Sequence, residues 1–414
     1  MGQYVWFNHS MGAGPSEWPA MLDVAAIMAD GWSPVPFREF IIKIHSRCDL
    51  ACDYCYMFEM ADQSWRDKPR KMSNEIAEAA AARIGEHARS HRIPNIGLVL
   101  HGGEPLLAGR DLISHLVAAV RQAAGTGVAV DTSVQTNAVG LDDSYLDMFG
   151  ELGIRVGVSL DGNSEAHDRH RRFASGRGSH AAGAVGLRRL TSDRYRHLFS
   201  GLLCTIDIRN DPIDTYQALT AFEPPRIDFL LPHGTWASPP PGRMPEATET
   251  PYADWLITIF DCWYSAPQTR IRLFDEIMRL ILGETSASEM VGLAPSRLLV
   301  IETNGAIEQG DTLKIAYHGA PDTGLHVDRN RLDDALMLPG VAARQLGERG
   351  LCAQCRACQI RRVCGGGLYA HRYRAGTGFA NPSVYCPDLI RLISHIHDTM
   401  RADIGARLAR REAS

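Results

Sequence analysis

Six short apolar runs recur along the first half of the chain, at 38–45, 96–101, 128–134, 154–160, 200–207 and 226–231. Bounded by polar and turn-forming residues, they predict strands. Between them, helices are expected at about 73–90, 110–124, 141–151, 181–192 and 211–222, the first opened by Ser73 as an N-cap and the third stopped by Gly153. Strand alternating with helix is the pattern of βα units, and six such units predict an α/β fold, a partial (β/α)6 barrel. A proline-rich linker over 232–251 ends that barrel, a helical segment follows at about 252–283, and Leu298 to Gln309 reads as a β-hairpin turning at Asn304-Gly305.

In such barrels the reacting groups gather at the C-terminal ends of strands. Three polar segments fall there. Gly102-Gly103-Glu104-Pro105 follows the second strand, Gln135-Thr136-Asn137 the third and Ser159-Leu160-Asp161-Gly162 the fourth. Each alone is equally an ordinary turn, but their shared rim favours a ligand site. The glycines allow close backbone approach, and Glu104 can accept hydrogen bonds from an ammonium group.

Composition narrows the class. At 414 residues and 45% hydrophobic content, the chain fits two to three domains with sizeable cores. The formal charge of −5 comes without a basic block, which argues against nucleic-acid or membrane-surface partners. No signal sequence or bilayer-length apolar run is evident, so a cytoplasmic location is expected.

The ten cysteines add the decisive chemistry. Cys48, Cys52 and Cys55 stand at CxxxCxxC spacing just after the first strand, offering three thiolates to a four-iron cube and leaving one iron open for a ligand. Cys352, Cys355, Cys358, Cys364 and Cys386 crowd into 35 residues beside Gly365-Gly366-Gly367, a second metal site. Structural zinc is the alternative for both groups. Cys204 and Cys262 read as core thiols.

With CxxxCxxC followed by Gly-Gly-Glu-Pro, the chain resembles the radical S-adenosylmethionine (SAM) superfamily. The resemblance implies that the open iron of the first [4Fe-4S] cluster binds the amino and carboxylate groups of SAM. It further implies that Gly102, Gly103, Glu104 and Pro105 hold the amino group, that Tyr54 and Asn137 complete the cofactor site, that Ser159 and Arg171 hold the carboxylate, and that Asp161 faces the ribose. Arg169 and Arg172 are alternatives to Arg171 in a run basic enough to be a solvated face.

The C-terminal cysteines resemble a SPASM domain, whose outer auxiliary [4Fe-4S] cluster would use Cys355, Cys358, Cys364 and Cys386, with Cys352 left over as a further candidate ligand. The ligand positions expected for a second, inner auxiliary cluster are occupied by Gly310 and Leu368, so one auxiliary cluster is expected. Asp311, next to the missing ligand, corresponds in sulfatase-maturing relatives to the proton-removing Asp and is the catalytic-base candidate; a turn Asp capping the hairpin is the alternative.

The expected division is an N-terminal extension 1–34 of unknown role, a radical SAM partial barrel 35–235, a linker with bridging helices 236–297, a SPASM-like domain 298–400 and a tail 401–414. The sequence is most similar to FxsB-type maturases of ribosomally made peptides. This implies a precursor-peptide partner, an external one-electron reductant of flavodoxin or ferredoxin type, and a cyclophane-like bond between an aromatic ring and a nearby β-carbon. Formylglycine formation on a sulfatase, peptide epimerisation and thioether synthesis are the enzymatic alternatives; a peptide carrier with structural metal is the non-enzymatic one.

Overall fold

A computed structural model describes residues 17–244, 247–286 and 288–412. Ten strands make one sheet: β1 (Glu39–His45), β2 (Asn95–Gly102), β3 (Ala129–Thr136), β4 (Arg155–Ser159), β5 (Phe199–Thr205), β6 (Arg226–Leu230), β7 (Arg270–Ile271), β8 (Leu298–Ile301), β9 (Ala306–Glu308) and β10 (Asp322–His326). Their spatial order is β10-β9-β8-β1-β2-β3-β4-β5-β6-β7. From β1 to β7 every neighbouring pair is parallel. This is the expected α/β arrangement, and it sets the C-terminal ends of β1 to β6 along one rim.

Side chains alternate across each strand. On β1, Phe40, Ile42 and Ile44 are fully buried in a core shared with Ala77, Ala80, Ala81 and Ile84 of the helix Asn74–Ser90. Removing a large apolar side chain from such a layer costs about 2–5 kcal/mol. The opposite set of positions, with His101 on β2, Gln135 on β3, Ser159 on β4 and Leu203 on β5, lines an interior cavity. Ser73 caps its helix by accepting from the Ile76 N–H, and Gly153 ends the helix Asp143–Leu152 in a left-handed turn, both as expected.

The structure adds three features. A short helix, Ser164–His170, follows β4; only Ala166 and His167 of it are buried, so it carries no apolar stripe to read. The segment expected as helical at 252–283 is two helices, Pro251–Ser265 and Arg272–Ile281, interrupted around Pro267 by β7. The hairpin β8–β9 turns where expected, with Gly305 at φ 88°, but β8 also pairs in parallel with β1 and so continues the barrel sheet. Trp6 lies outside the described residues, whereas Trp18 packs with Leu22 against a second apolar cluster containing Tyr369, Tyr373 and Phe379. Among the described residues no helix is long and apolar enough to cross a membrane.

Candidate functional site

The loop after β1 and the end of β2 are joined backbone to backbone. Gly103 N–H donates to His45 O at 2.8 Å and Glu104 N–H to Arg47 O at 3.0 Å. A Cβ on Gly103 would stand 2.4 Å from the Arg47 carbonyl, and one on Gly102, at φ 152°, 2.1 Å from His45 O. The glycines are therefore needed for contact between two chain segments, which fixes Glu104 beside the cysteine loop.

Cys48, Cys52 and Cys55 line a cavity of about 730 Å³ together with Tyr54, Gly102, Gly103, Glu104, Asn137, Ser159 and Arg171. Burial pushes all three thiols up, Cys52 to about 11, so a cation at the site is needed to hold them as thiolates.

Glu104 is buried at the rim of the barrel. Its Oε1 accepts from Leu106 N–H at 3.0 Å and Thr136 Oγ1 at 2.7 Å, and its Oε2 from Asn137 N–H at 2.9 Å. Burial raises its carboxyl to about 7 despite those donors. Pro105 opens a buried turn behind it. Asn137 donates from Nδ2 to Asp49 Oδ1 at 2.7 Å, bracing the cysteine loop against β3. The Ser159 hydroxyl accepts from Gln135 Nε2 at 2.9 Å.

Arg171, rather than its basic neighbours, reaches the cavity. Its Nη1 donates to the Tyr54 hydroxyl at 2.9 Å, and that hydroxyl donates in turn to Asp161 Oδ2. The other Asp161 oxygen accepts from Thr205 N–H at 2.9 Å. Asp161 is thus occupied in holding Tyr54 and does not line the cavity. Arg171 Nε is buried without a partner, a donor left for an anionic ligand. A buried carboxylate for an ammonium, an orphaned guanidinium N–H for a carboxylate and three adjacent thiols form a donor set that fits SAM on an open-iron cluster.

Asp311 lies under the same cavity without lining it. Its Oδ2 pairs with Lys43 Nζ at 2.5 Å and its buried Oδ1 has no partner. Lys43 also contacts His101 Nδ1 at 2.8 Å. His101 and His233, both in the cavity wall, are held neutral, burial lowering them to about 3 and about 4. Behind them Lys314 meets Glu302 at 3.1 Å and Glu308 at 2.8 Å, and Lys68 pairs with the same two acids. Sequence reasoning placed Gln135 on the rim but missed Lys43, Asp49, Tyr56, His101 and His233. Lys43 carried a signal, as a lone charge in the apolar run Ile41-Ile42-Lys43-Ile44.

The second cysteine group converges as well. Cys355, Cys358, Cys364 and Cys386 line one cavity of about 60 Å³, whereas Cys352 stands beside Cys355, hydrogen-bonded to it and outside the lining. Gly365, Gly366 and Gly367 all have positive φ, and a Cβ on Gly365 would overlap the Gly292 carbonyl at 1.6 Å. A single tetrahedral zinc with bonds of ~2.3 Å draws its sulfurs to within ~3.8 Å. The four cysteines of this cavity offer the ligand set of such an ion or of a four-iron cube. Cys204 is buried as expected, but Cys262 is exposed on its helix.

Residues 42–182 match the family model described as the radical SAM superfamily. The serine-type anaerobic sulfatase-maturating enzyme of Klebsiella aerogenes is 27% identical over 379 residues, covering 86% of this chain and 87% of the relative. A cysteine-type anaerobic sulfatase-maturating enzyme of Clostridium novyi (strain NT) is 25% identical over 269 residues, covering 63% of this chain and 70% of the relative. Among solved structures, native anSMEcpe with bound AdoMet superposes with a TM-score of 0.75 at 20% identity, covering 88% of this chain and 98% of that one. Streptococcus suis SuiB bound to precursor peptide SuiA gives 0.57 at 13% identity, with 93% and 84% covered. The structural likenesses show a shared fold, and the matched segment holds the cysteine loop together with the ends of β2, β3 and β4. This protein is a radical SAM enzyme.

Proposed function

We propose that the enzyme modifies a side chain of a ribosomally made peptide by a two-electron oxidation, forming a carbon-carbon bond between a β-carbon and an aromatic ring. The observation that carries this reading is the cavity itself. It joins the three-thiol loop and the SAM-fitting donors at one side to His101 at the other, and behind that wall residue Lys43 links His101 to the buried Asp311. Relatives named as sulfatase-maturating enzymes and a fold neighbour solved with a precursor peptide support a peptide substrate.

When bound, SAM and the first cluster supply a hydrogen-abstracting radical, and an auxiliary cluster supplies an electron acceptor. Glu104 holds the cofactor ammonium, while Arg171 Nε and the Ser159 hydroxyl hold its carboxylate. Asp161 fixes Tyr54, and Tyr54 fixes Arg171. Asp311 takes the ring proton at its free Oδ1, with Lys43 balancing the charge on Oδ2. The peptide loses one hydrogen atom, one proton and one electron as the new bond forms. Cys355, Cys358, Cys364 and Cys386 hold the auxiliary cluster, and a flavodoxin or ferredoxin supplies electrons from outside.

Formylglycine formation is the second reading, favoured by the names of the curated relatives. Against it stands the absence of cysteine at Gly310 and Leu368. The two reactions are separated by an anaerobic assay with SAM, reductant and the candidate peptide. On a serine substrate both remove two hydrogens, so mass alone does not decide, whereas a cysteine substrate would also exchange its sulfur for oxygen. A product that resists hydrazide reagents and whose fragment ions stay tied between two residues supports the cross-link. A hydrazide-reactive aldehyde overturns it in favour of the sulfatase-type reaction.

A further inference from the structure

Away from the cavity, His87 and His91 stand one helical turn apart at the C-terminal end of the helix Asn74–Ser90, facing Asp333 of the short helix Leu332–Leu336. Asp333 Oδ1 lies 2.5 Å from His87 Nδ1 and 2.9 Å from His91 Nε2. The other nitrogen of His87, Nε2, is 3.2 Å from Phe37 O. A carbonyl only accepts, so Nε2 donates, and that uses the single N–H of a neutral imidazole. Nδ1 then presents a lone pair to a carboxylate oxygen. Two acceptors facing each other require a positive centre, either a second proton at the present separation or a metal ion once the two atoms part to the ~3.3 Å that ligands of one tetrahedral ion keep.

Several details favour the metal. Metal-binding histidines characteristically donate their outer N–H to a backbone carbonyl, as His87 does to Phe37. His91 aims a second nitrogen at the same oxygen. Arg331 approaches the far oxygen of Asp333 at 3.5 Å and is itself held by Glu86 at 3.0 Å, so its cation does not stand between the rings. His91 and Asp333 retain 30% and 28% side-chain exposure, enough for an ion and a completing water to enter. By contrast, the buried acids Glu302, Glu308 and Asp311 already hold lysine ammonium groups in their midst.

We propose that His87 Nδ1, His91 Nε2 and the Asp333 carboxylate bind a divalent transition-metal ion of zinc type, separate from both cysteine groups. Two imidazoles and one carboxylate suit zinc at ~2.0–2.2 Å and disfavour the all-oxygen preference of calcium or magnesium. The ion would cross-link the first barrel helix to the Leu332–Leu336 segment and, through Phe37, to the approach to β1.

The test uses the anaerobically reconstituted holoenzyme, whose thiolates are already occupied. It is passed over a chelating resin, titrated with zinc chloride at neutral pH, desalted and counted by mass spectrometry. Wild type should retain about one zinc more than His91→Ala, and its thermal midpoint should rise with zinc while that of the variant does not. Asp333→Asn, which keeps a hydrogen-bonding oxygen, should weaken zinc at least tenfold. SAM cleavage should be unchanged in His91→Ala, reporting an intact fold. Equal zinc content in wild type and His91→Ala would overturn the proposal, leaving a proton rather than a metal between His87 and Asp333.

Discussion

The Arg171 guanidinium is buried with Nη1 on the Tyr54 hydroxyl and nothing on Nε, so its unmet hydrogen bond is the most direct single-residue measure of cofactor binding. Hydrogen bonds to charged groups contribute about 1.5–3 kcal/mol, which corresponds to roughly 10–100-fold in affinity. Arg171→Gln should weaken SAM by that factor in equilibrium dialysis while leaving iron content unchanged; unaltered affinity would remove Arg171 from the cofactor site. Glu104 adds a pH dependence. Burial raises its carboxyl from 4.5 to about 7, so the folded protein holds this proton more tightly than the unfolded chain. The stability it contributes is complete below 4.5 and fades as pH rises through 7. An ammonium needs the ionised form, so SAM affinity should run the opposite way, rising between pH 6 and pH 8, and Glu104→Gln should bind weakly with a flat profile. Asp311→Asn keeps the shape of the side chain but removes the basic oxygen. It should still release deoxyadenosine, while modified peptide falls about tenfold or more, since positioned proton transfer typically contributes at least ~10²-fold. Unchanged product yield would make Asp311 only the partner of Lys43.

Strands and helices of the barrel were legible because burial follows the period of each element: β1 hides Phe40, Ile42 and Ile44 on one face, and the helix Asn74–Ser90 hides Ala77, Ala80, Ala81, Ile84 and Ala88. Motif positions at strand ends were legible for the same reason. What the sequence withheld were contacts between elements. Nothing in Asp161 announces that it holds Tyr54, 107 positions away, and nothing in the hairpin announces that β8 pairs with β1. The helix Ser164–His170 escaped notice because its charged residues mask two buried positions. The junction of β2 with the cysteine loop is the element-level contact with the clearest consequence. Gly103→Ala places a methyl 2.4 Å from the Arg47 backbone, and neither strand end can yield without moving Cys48 or Glu104. The variant should fold, with an unchanged far-ultraviolet spectrum, yet lose both SAM binding and the iron of the first site. Full iron retention would show that the loop tolerates the displacement.

Over the whole molecule, eight of the ten cysteines fall into two groups, and the other two lie apart, Cys204 within the barrel wall and Cys262 on an exposed helix face. The two groups sit in different architectural settings. One occupies the rim of the parallel sheet beside a cavity of about 730 Å³, large enough for a cofactor and a peptide side chain together; the other closes on about 60 Å³ between short helices and the start of the long helix Cys386–Glu412. The first group supplies three thiols and so leaves room for a ligand. The second supplies four around its cavity, the closed ligand set that the proposed auxiliary cluster needs. Two cubes of four irons predict about eight irons per chain after anaerobic reconstitution. Replacing Cys48, Cys52 and Cys55 with Ala should leave about half of that iron and no SAM cleavage. Cys386→Ala should remove iron from the other site while some SAM cleavage persists. Cys352→Ala is the discriminating variant, because Cys352 neighbours Cys355 without lining the cavity. If four thiols close the site, its iron content and paramagnetic resonance spectrum should match wild type. A loss of about four irons would make Cys352 a ligand, and about twelve irons in wild type would mean that a third site is built without the cysteines expected at Gly310 and Leu368.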